Sequence, residues 1–276
     1  MSADAVLTRA LAVDPPSTDR APAHPAGLRL VNEQLGTEPL VVHAHGHHRN
    51  HPHWPPIRDA FFRSAPATIG PSARVSVITC NNGAQAMGLL ERGLEHLGVP
   101  YRVGGQGIRD WVNARDKPRA ICALLDTIET PYVLYADSRD ALILGNPEIL
   151  VDRFEGHFET DIVFGADRLS WPPLPRFKRF ERAMAAGQPG DFHYLNGGTW
   201  IGRTAFCRDL FAAALEIPPT PEAPDSEQGI LRTLWMERPS EIALDYRCRM
   251  FQNIGFVAAP IFRIETGSTT DDARSS

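Results

Sequence analysis

The apolar positions along the middle of the chain switch repeatedly between a strand-like and a helix-like period. Val75-Ser-Val-Ile-Thr-Cys80 is a short β-branched run that reads as a strand. Met87, Leu89, Leu90 and Leu94 then recur at helical spacing across Ala84 to Leu97. Tyr101-Arg-Val103 reads as a second strand, Ala120-Ile-Cys-Ala-Leu-Leu125 as part of a helix, and Tyr132-Val-Leu-Tyr-Ala136 as a buried strand. Pro147 to Phe158 is helical with proline in its first turn, and Asp161-Ile-Val-Phe164 is the next strand. Strands separated by helix-length segments predict βαβ units, hence an α/β fold with a mostly parallel sheet and helices on both faces. Ligands of such sheets sit at the carboxyl ends of the strands, near a switch in strand order. The polar residues just past each strand are therefore the candidates.

Residues 1–27 are rich in Ala, Pro, Ser and Thr without apolar period and read as a flexible lead, while 266–276 read as a polar tail. The body between them, 28–265, shows no repeat and no convincing linker, and is expected to be one domain. A net charge of -5 over 276 residues argues against a protein that coats nucleic acid. No uncharged apolar run approaches the ~18 residues of a membrane span, and the first residues carry acids and lack the apolar core of a secretory signal. The four cysteines are far apart with no CxxC pair, which disfavours a disulfide scaffold or a zinc knuckle. A soluble cytoplasmic enzyme without nucleic-acid or membrane partners is the expectation.

The most informative segment is Tyr132 to Leu144, where an apolar strand runs into Asp137 and Asp140 follows three residues later. In a continued strand the two carboxylates would face opposite sides, so they converge only if the chain turns at Ser138-Arg139. A convergent acidic pair is costly without a cation, and Mg²⁺ or Mn²⁺ would leave coordination positions open for phosphate oxygens. Otherwise Asp137 caps the turn and Asp140 pairs with a surface base such as Arg139. Thr79-Cys80-Asn81-Asn82-Gly83, in the first βα turn, is either a nucleotide cradle or an Asn-rich start to a helix. Asp161-Ile-Val-Phe-Gly-Ala-Asp167 repeats the logic of strand followed by acid and leads to Trp171-Pro172. Asn196-Gly197-Gly198 interrupts an aromatic strand, which predicts a bulge or a close backbone approach to a ligand. Asp225-Ser226-Glu227 opens an apolar helix.

Six of the ten histidines lie between His43 and His53. They form either a polar loop before a helix over Pro56 to Phe62, or a metallohydrolase site completed by Asp137 and Asp167.

The motifs gain specificity from their order: Val-Ile-Thr at 77–79, Lys117, Tyr-Ala-Asp-Ser-Arg-Asp at 135–140, Phe-Gly-Ala-Asp at 164–167, Trp171-Pro172, Leu-Asn-Gly-Gly-Thr-Trp-Ile-Gly at 195–202, Asp-Ser-Glu-Gln at 225–228, and Leu-Asp-Tyr with Phe-Gln-Asn at 244–253. Over roughly residues 74–256 this resembles the glycosyltransferase domain of the procollagen-lysine hydroxylase and collagen glycosyltransferase group. The resemblance implies a GT-A type, Rossmann-like fold using a UDP-sugar and Mn²⁺, with Mg²⁺ as the other metal. Asp137 and Asp140 match the metal-binding DxxD. Thr79 and Lys117 match the nucleotide site, with Asn81, Ser138 and Gly197 as neighbouring candidates. Trp171, Asn196, Asp225 and Glu227 match the sugar and acceptor side, with Asp167 and Glu227 as candidates for steering the acceptor hydroxyl.

One feature is displaced. The family's third metal ligand is the histidine of an HxNG strand that follows Phe-Gln-Asn, whereas here no histidine follows Asn253. Pro39-Leu-Val-Val-His-Ala-His-Gly46 resembles that strand, with His43 at the metal position and His45 in place of the Asn. Leu28-Arg-Leu-Val-Asn32 resembles the strand that precedes it. The body thus looks circularly permuted, with 28–50 the moved closing segment, and His43 is expected within ~10 Å of Asp137 and Asp140 if the three share one metal. The activity expected is transfer of a hexose from a UDP-sugar to a hydroxyl of a small molecule, natural product or peptide.

Overall fold

The computed structural model describes residues 28–46, 52–84, 87–257 and 261–266. Its main sheet has six strands: β3 (Val75–Cys80), β4 (Tyr101–Gly104), β5 (Tyr132–Ala136), β7 (Ile162–Asp167), β8 (Tyr194–Arg203) and β9 (Ile242–Asp245), in the order β4-β3-β5-β8-β7-β9. Only β8 runs against the others. The order reverses at β3, because the chain first crosses to β4 and then returns to β5 on the other side. The carboxyl ends of β3 and β5 are thus the switch point at which an α/β sheet opens a crevice.

Alternation along the strands sends side chains into two cores. Val77, Leu134 and Val163 face one side, packed by α1 (Trp54–Arg63), α2 (Leu89–Leu97) and α4 (Glu148–His157). Ile78, Val133, Tyr135 and Trp200 face the other, packed by α3 (Asn113–Leu125), α6 (Thr204–Glu216) and α7 (Glu227–Glu237). A further helix, α5 (Pro175–Met184), buries Phe177. Helices on both faces of a mostly parallel sheet are as the periodicity predicts.

Two small sheets lie outside that prediction. β1 (Leu28–Asn32) pairs antiparallel with β11 (Phe262–Thr266), and β2 (Val41–His43) lies between β10 (Phe251–Asn253), to which it is parallel, and β6 (Ala141–Ile143), to which it is antiparallel. β1 and β2 fall on the two segments, 28–32 and 39–46, that are expected as strands from the family resemblance and not from periodicity, and strands as short as β6 and β10 carry too little alternation to show a period.

The helix expected from Ala84 begins at Leu89, since Gly88 is its N-cap and the Glu91 carboxylate accepts from the Gly88 amide. A side chain at 88 would run into Ser138, its Cβ lying 2.0 Å from Oγ, so glycine is required there. Asn196-Gly197-Gly198 is a bulge within a continuous β8: the register with β7 jumps from Phe164↔Trp200 to Gly165↔Asn196.

Candidate metal centre

β5 ends at Ala136, and the chain then turns through Asp137-Ser138-Arg139 before β6 starts at Ala141. The Asp137 amide donates to the Gly198 carbonyl (2.8 Å), tying the turn to the bulge of β8, and the Ala44 amide donates to the Asp140 carbonyl (2.7 Å), tying it to the chain after β2. Both carboxylates thereby converge on the imidazole carried by β2. His43 Nε2 lies 3.4 Å from Asp140 Oδ1 and 3.6 Å from Asp137 Oδ2. Among the described residues these three form a group whose ligand atoms all fall within 4.8 Å of one another.

The imidazole is held from behind. Asn253 Oδ1 lies 2.8 Å from His43 Nδ1, and Asn253 Nδ2 donates to the Ala166 carbonyl (2.7 Å). With its amide committed in that sense, Asn253 accepts at Oδ1, which puts the His43 proton on Nδ1 and leaves the Nε2 lone pair facing the carboxylates. Nε2 is buried and has no hydrogen-bond partner. The floor is glycine: a Cβ at Gly198 would stand 2.2 Å from His43 Cε1 and 2.7 Å from Asp137 Oδ2. An orphaned imidazole nitrogen, two carboxylates and a cradle with no room for a methyl group fit a divalent cation. Without a cation the three groups compensate one another. Burial opposes charge on both His43 and Asp140, yet Asp140 and Asp137 raise the imidazole to about 9, and His43 holds Asp140 below the usual carboxylate range.

Lys117 reaches this site from α3. Its Nζ donates to Asp137 Oδ1 and to Glu227 Oε1, both at 2.8 Å, and lies 5.1 Å from the centre of the Tyr135 ring. Burial opposes its charge, but the two carboxylates raise its pKa. The Tyr135 hydroxyl also donates to Asp137 Oδ1 (2.7 Å). Lys117 therefore binds Asp137 to α7 and is not a free cation. Glu227 is tied to it, while Asp225 is exposed and its carbonyl accepts from the Ala114 amide of α3.

Three candidates for the nucleotide side use their side chains within the fold. Thr79 Oγ1 is buried and donates to the Ala136 carbonyl (2.7 Å), while Asn81 Nδ2 and Ser138 Oγ each donate to Glu91 Oε1 at 3.1 Å. They brace β3 against β5 and the Asp137 turn against α2. Gly197 is similarly engaged, its amide donating to Gln228 Oε1.

On the other flank, Asp167 is the last residue of β7. Its Oδ2 lies 2.8 Å from His45 Nε2 and accepts from Asn196 Nδ2 (3.0 Å), whose own Oδ1 accepts from the Gly198 amide (2.8 Å). Burial pushes the Asp167 carboxyl up, but His45 and Asn196 bring it below its ordinary value. This chain of bonds connects Asp167 to the glycine floor. Trp171, in the loop after β7, is 56% exposed and precedes a cis proline.

The histidine cluster divides. His43 joins Asp137 and Asp140, His45 joins Asp167, and His53 packs edge-on against Phe262 with ring centres 5.4 Å apart. His47, His48 and His51 lie outside the described residues. The alternative hydrolase site, in which Asp137 and Asp167 would complete a histidine cluster, does not appear as a three-ligand group among the described residues. Asn253 carries no signal in the sequence beyond its place in Phe-Gln-Asn, whereas His45 stands two residues beyond His43, in the strand-like spacing that places both at one site.

No curated protein matches the chain. A family model, described as the PLOD GT domain, matches residues 119–270, which contain Asp137, Asp140, Asp167, Asn196 and Asn253 but not β2 with His43. That match spans more than half of the 276 residues and describes a glycosyltransferase domain, so the chain belongs to the PLOD GT domain family.

Proposed function

We propose that the protein transfers a hexose from a UDP-sugar to a hydroxyl acceptor, with Asp137, Asp140 and His43 holding Mn²⁺. The observation that carries this is the unpartnered His43 Nε2, buried between two carboxylates at the switch point of the sheet. A histidine beside two carboxylates favours Mn²⁺ over Mg²⁺, because imidazole suits the softer cation. When bound, the metal supplies charge for the departing diphosphate.

The remaining roles belong to the chain. Lys117 keeps Asp137 oriented and offsets the negative charge of Asp137 and Glu227. Asp167, already bonded to His45, Asn196 and the Leu169 amide, is an orienting group for the acceptor side and a weak base. Trp171 is free to cover the sugar or acceptor.

The same reading includes a circular permutation. β2 lies in register beside β10, with His43 opposite Asn253. A closing strand that follows Phe-Gln-Asn in the family would reach that place from the other end of the chain. Domain termini near one another at the surface make such a reordering physically tolerable.

Thermal melting tests the donor assignment. UDP with Mn²⁺ raises Tm by several degrees at saturation, by mass action. Asp140→Ala abolishes Mn²⁺-dependent hydrolysis of the UDP-sugar. Surviving hydrolysis refutes the metal assignment, and a shift with Zn²⁺ alone but none with UDP and Mn²⁺ favours a hydrolase.

A further inference from the structure

Glu181 on α5 and Arg232 on α7 form an ion pair whose side chains are both fully buried, with Arg232 Nε 2.9 Å from Glu181 Oε1. Such a pair is a poor source of stability, because taking two charges out of water is costly and well-packed apolar residues of similar volume often serve as well or better. What the pair holds is more informative. Arg232 donates to two carbonyls, that of Pro172 from Nη1 and that of Leu195 from Nη2, both at 3.1 Å. Glu181 accepts from the Leu195 amide (2.9 Å) and from the Ser170 hydroxyl (3.3 Å). One buried pair therefore grips the residues on either side of Trp171 and ties both to Leu195 of β8. Ser170 and Pro172 are buried, whereas Trp171 between them is 56% exposed. A large aromatic side chain left in water on a backbone fixed at both neighbours is built to be presented, since it has little freedom left to lose when it meets a ligand.

Contacts connect this loop to the metal centre from two sides. Before it, Asp167 at the end of β7 accepts from Asn196, which in turn accepts from the Gly198 amide. After Trp171, Pro172 meets the first turn of α7, where a Cβ at Gly229 would lie 3.6 Å from Pro172 Cγ. In that same turn Gln228 accepts from the Gly197 amide, and Glu227 accepts from Lys117, which also donates to Asp137. Trp171 is thus bracketed by two chains of contacts, one ending on the glycine floor and the other on a candidate metal ligand.

We infer that Arg232 and Glu181 are positioning residues, which hold the backbone at 170 and 172 so that Trp171 is presented to the hexose of the donor. This rests on the transferase reading above, which gives Trp171 a substrate to cover, and it adds how the ring is aimed. Neither charged residue reaches substrate, since both are fully buried. A guanidinium fork and a carboxylate suit the task better than an apolar contact, because they fix direction as well as distance.

A mutant cycle on the full-length protein tests this, read by Mn²⁺-dependent hydrolysis of UDP-glucose and UDP-galactose. Glu181→Leu/Arg232→Met replaces the pair by apolar residues of similar reach and still melts cooperatively. Its Mn²⁺ affinity by isothermal titration stays that of the wild type, because His43, Asp137 and Asp140 are untouched. Its turnover falls roughly 10–100-fold, the cost of a misplaced group, and hydrogen exchange across 168–174 quickens. Trp171→Ala lowers turnover by itself but adds nothing in the double variant, because the pair acts through that ring. Losses that multiply overturn the proposal, as do unchanged turnover or unchanged exchange in the folded double variant. If the double variant does not fold, Ser170→Ala, which removes a single bond of the clamp, takes its place in the cycle. A smaller loss that vanishes in the Trp171→Ala background then supports the proposal, and one that persists there overturns it. The wild-type thermal shift with UDP and Mn²⁺ separates the two levels. A shift with multiplying losses removes the positioning pair and leaves the transferase, whereas no shift removes the transferase reading itself.

Discussion

Gly198→Ala places one methyl group at the floor of the candidate metal centre, at a position 2.2 Å from His43 Cε1 and 2.8 Å from Nε2. Carbon atoms in contact settle at ~3.5 Å or more, so the imidazole has to retreat by about 1.3 Å. It has little freedom to do so, because Nδ1 is bound to Asn253 and the side chain is only 2% exposed. Metal–ligand distances tolerate about 0.2 Å, so a displacement of this size removes His43 from the coordination shell. Mn²⁺ affinity is then expected to fall by ~100-fold or more, the upper end of what loss of a supporting partner produces. The overpacking itself costs about 1–3 kcal/mol, which a domain with ~5–15 kcal/mol of stability survives. Isothermal titration with Mn²⁺, beside a melting curve in chelator, separates the two effects. A folded Gly198→Ala protein whose Mn²⁺ affinity stays within a few-fold of the wild type would refute the assignment of His43 as a ligand.

Three further expectations follow from the same geometry. Asn253→Ala leaves His43 Nδ1 without its partner and lowers Mn²⁺ affinity by roughly 10–100-fold with no added bulk, measurable by the same titration. Lys117→Ala strands Glu227, 11% exposed, without its cation, and lowers unfolding stability by about 3 kcal/mol in urea; a loss under about 1 kcal/mol would show that the acids need no partner. In the metal-free protein, His43 is raised from 6.5 to about 9, so its protonated form adds stability that is fully present below pH 6.5 and disappears as pH climbs through about 9. The stability difference between wild type and His43→Gln in chelator should shrink across that window, and a difference that is flat with pH contradicts the pairing.

Much of this architecture was legible in one dimension because it is set locally. Alternating β-branched runs and helix-spaced leucines announce β3, α2 and β5, and an apolar strand that ends on Asp137 announces the turn that brings Asp140 round. That His43 stands beside these two acids was legible too, through an apolar strand that resembles the family's histidine-bearing one. Partnerships across the fold were not. Lys117 looks like a free cation until α7 brings Glu227 against it, and Thr79 looks ligand-facing until β5 supplies a carbonyl for its hydroxyl. The pairing of His45 with Asp167 depends on the loop after β2 meeting the end of β7, a contact between distant segments that no local period encodes.

The position of β2 has a consequence for how the protein becomes competent. Its three residues pair with Phe251–Asn253 on one side and Ala141–Ile143 on the other, both far along the chain. A slip of one residue would turn the His43 imidazole to the opposite face and set Val42 or Ala44 in its place. Under the proposed metal assignment, cation binding would discriminate between adjacent registers of a very short strand. Contacts of such long sequence separation form late, so in refolding experiments Mn²⁺ uptake is expected to lag behind formation of the six-stranded sheet and to mark the final, correctly aligned state.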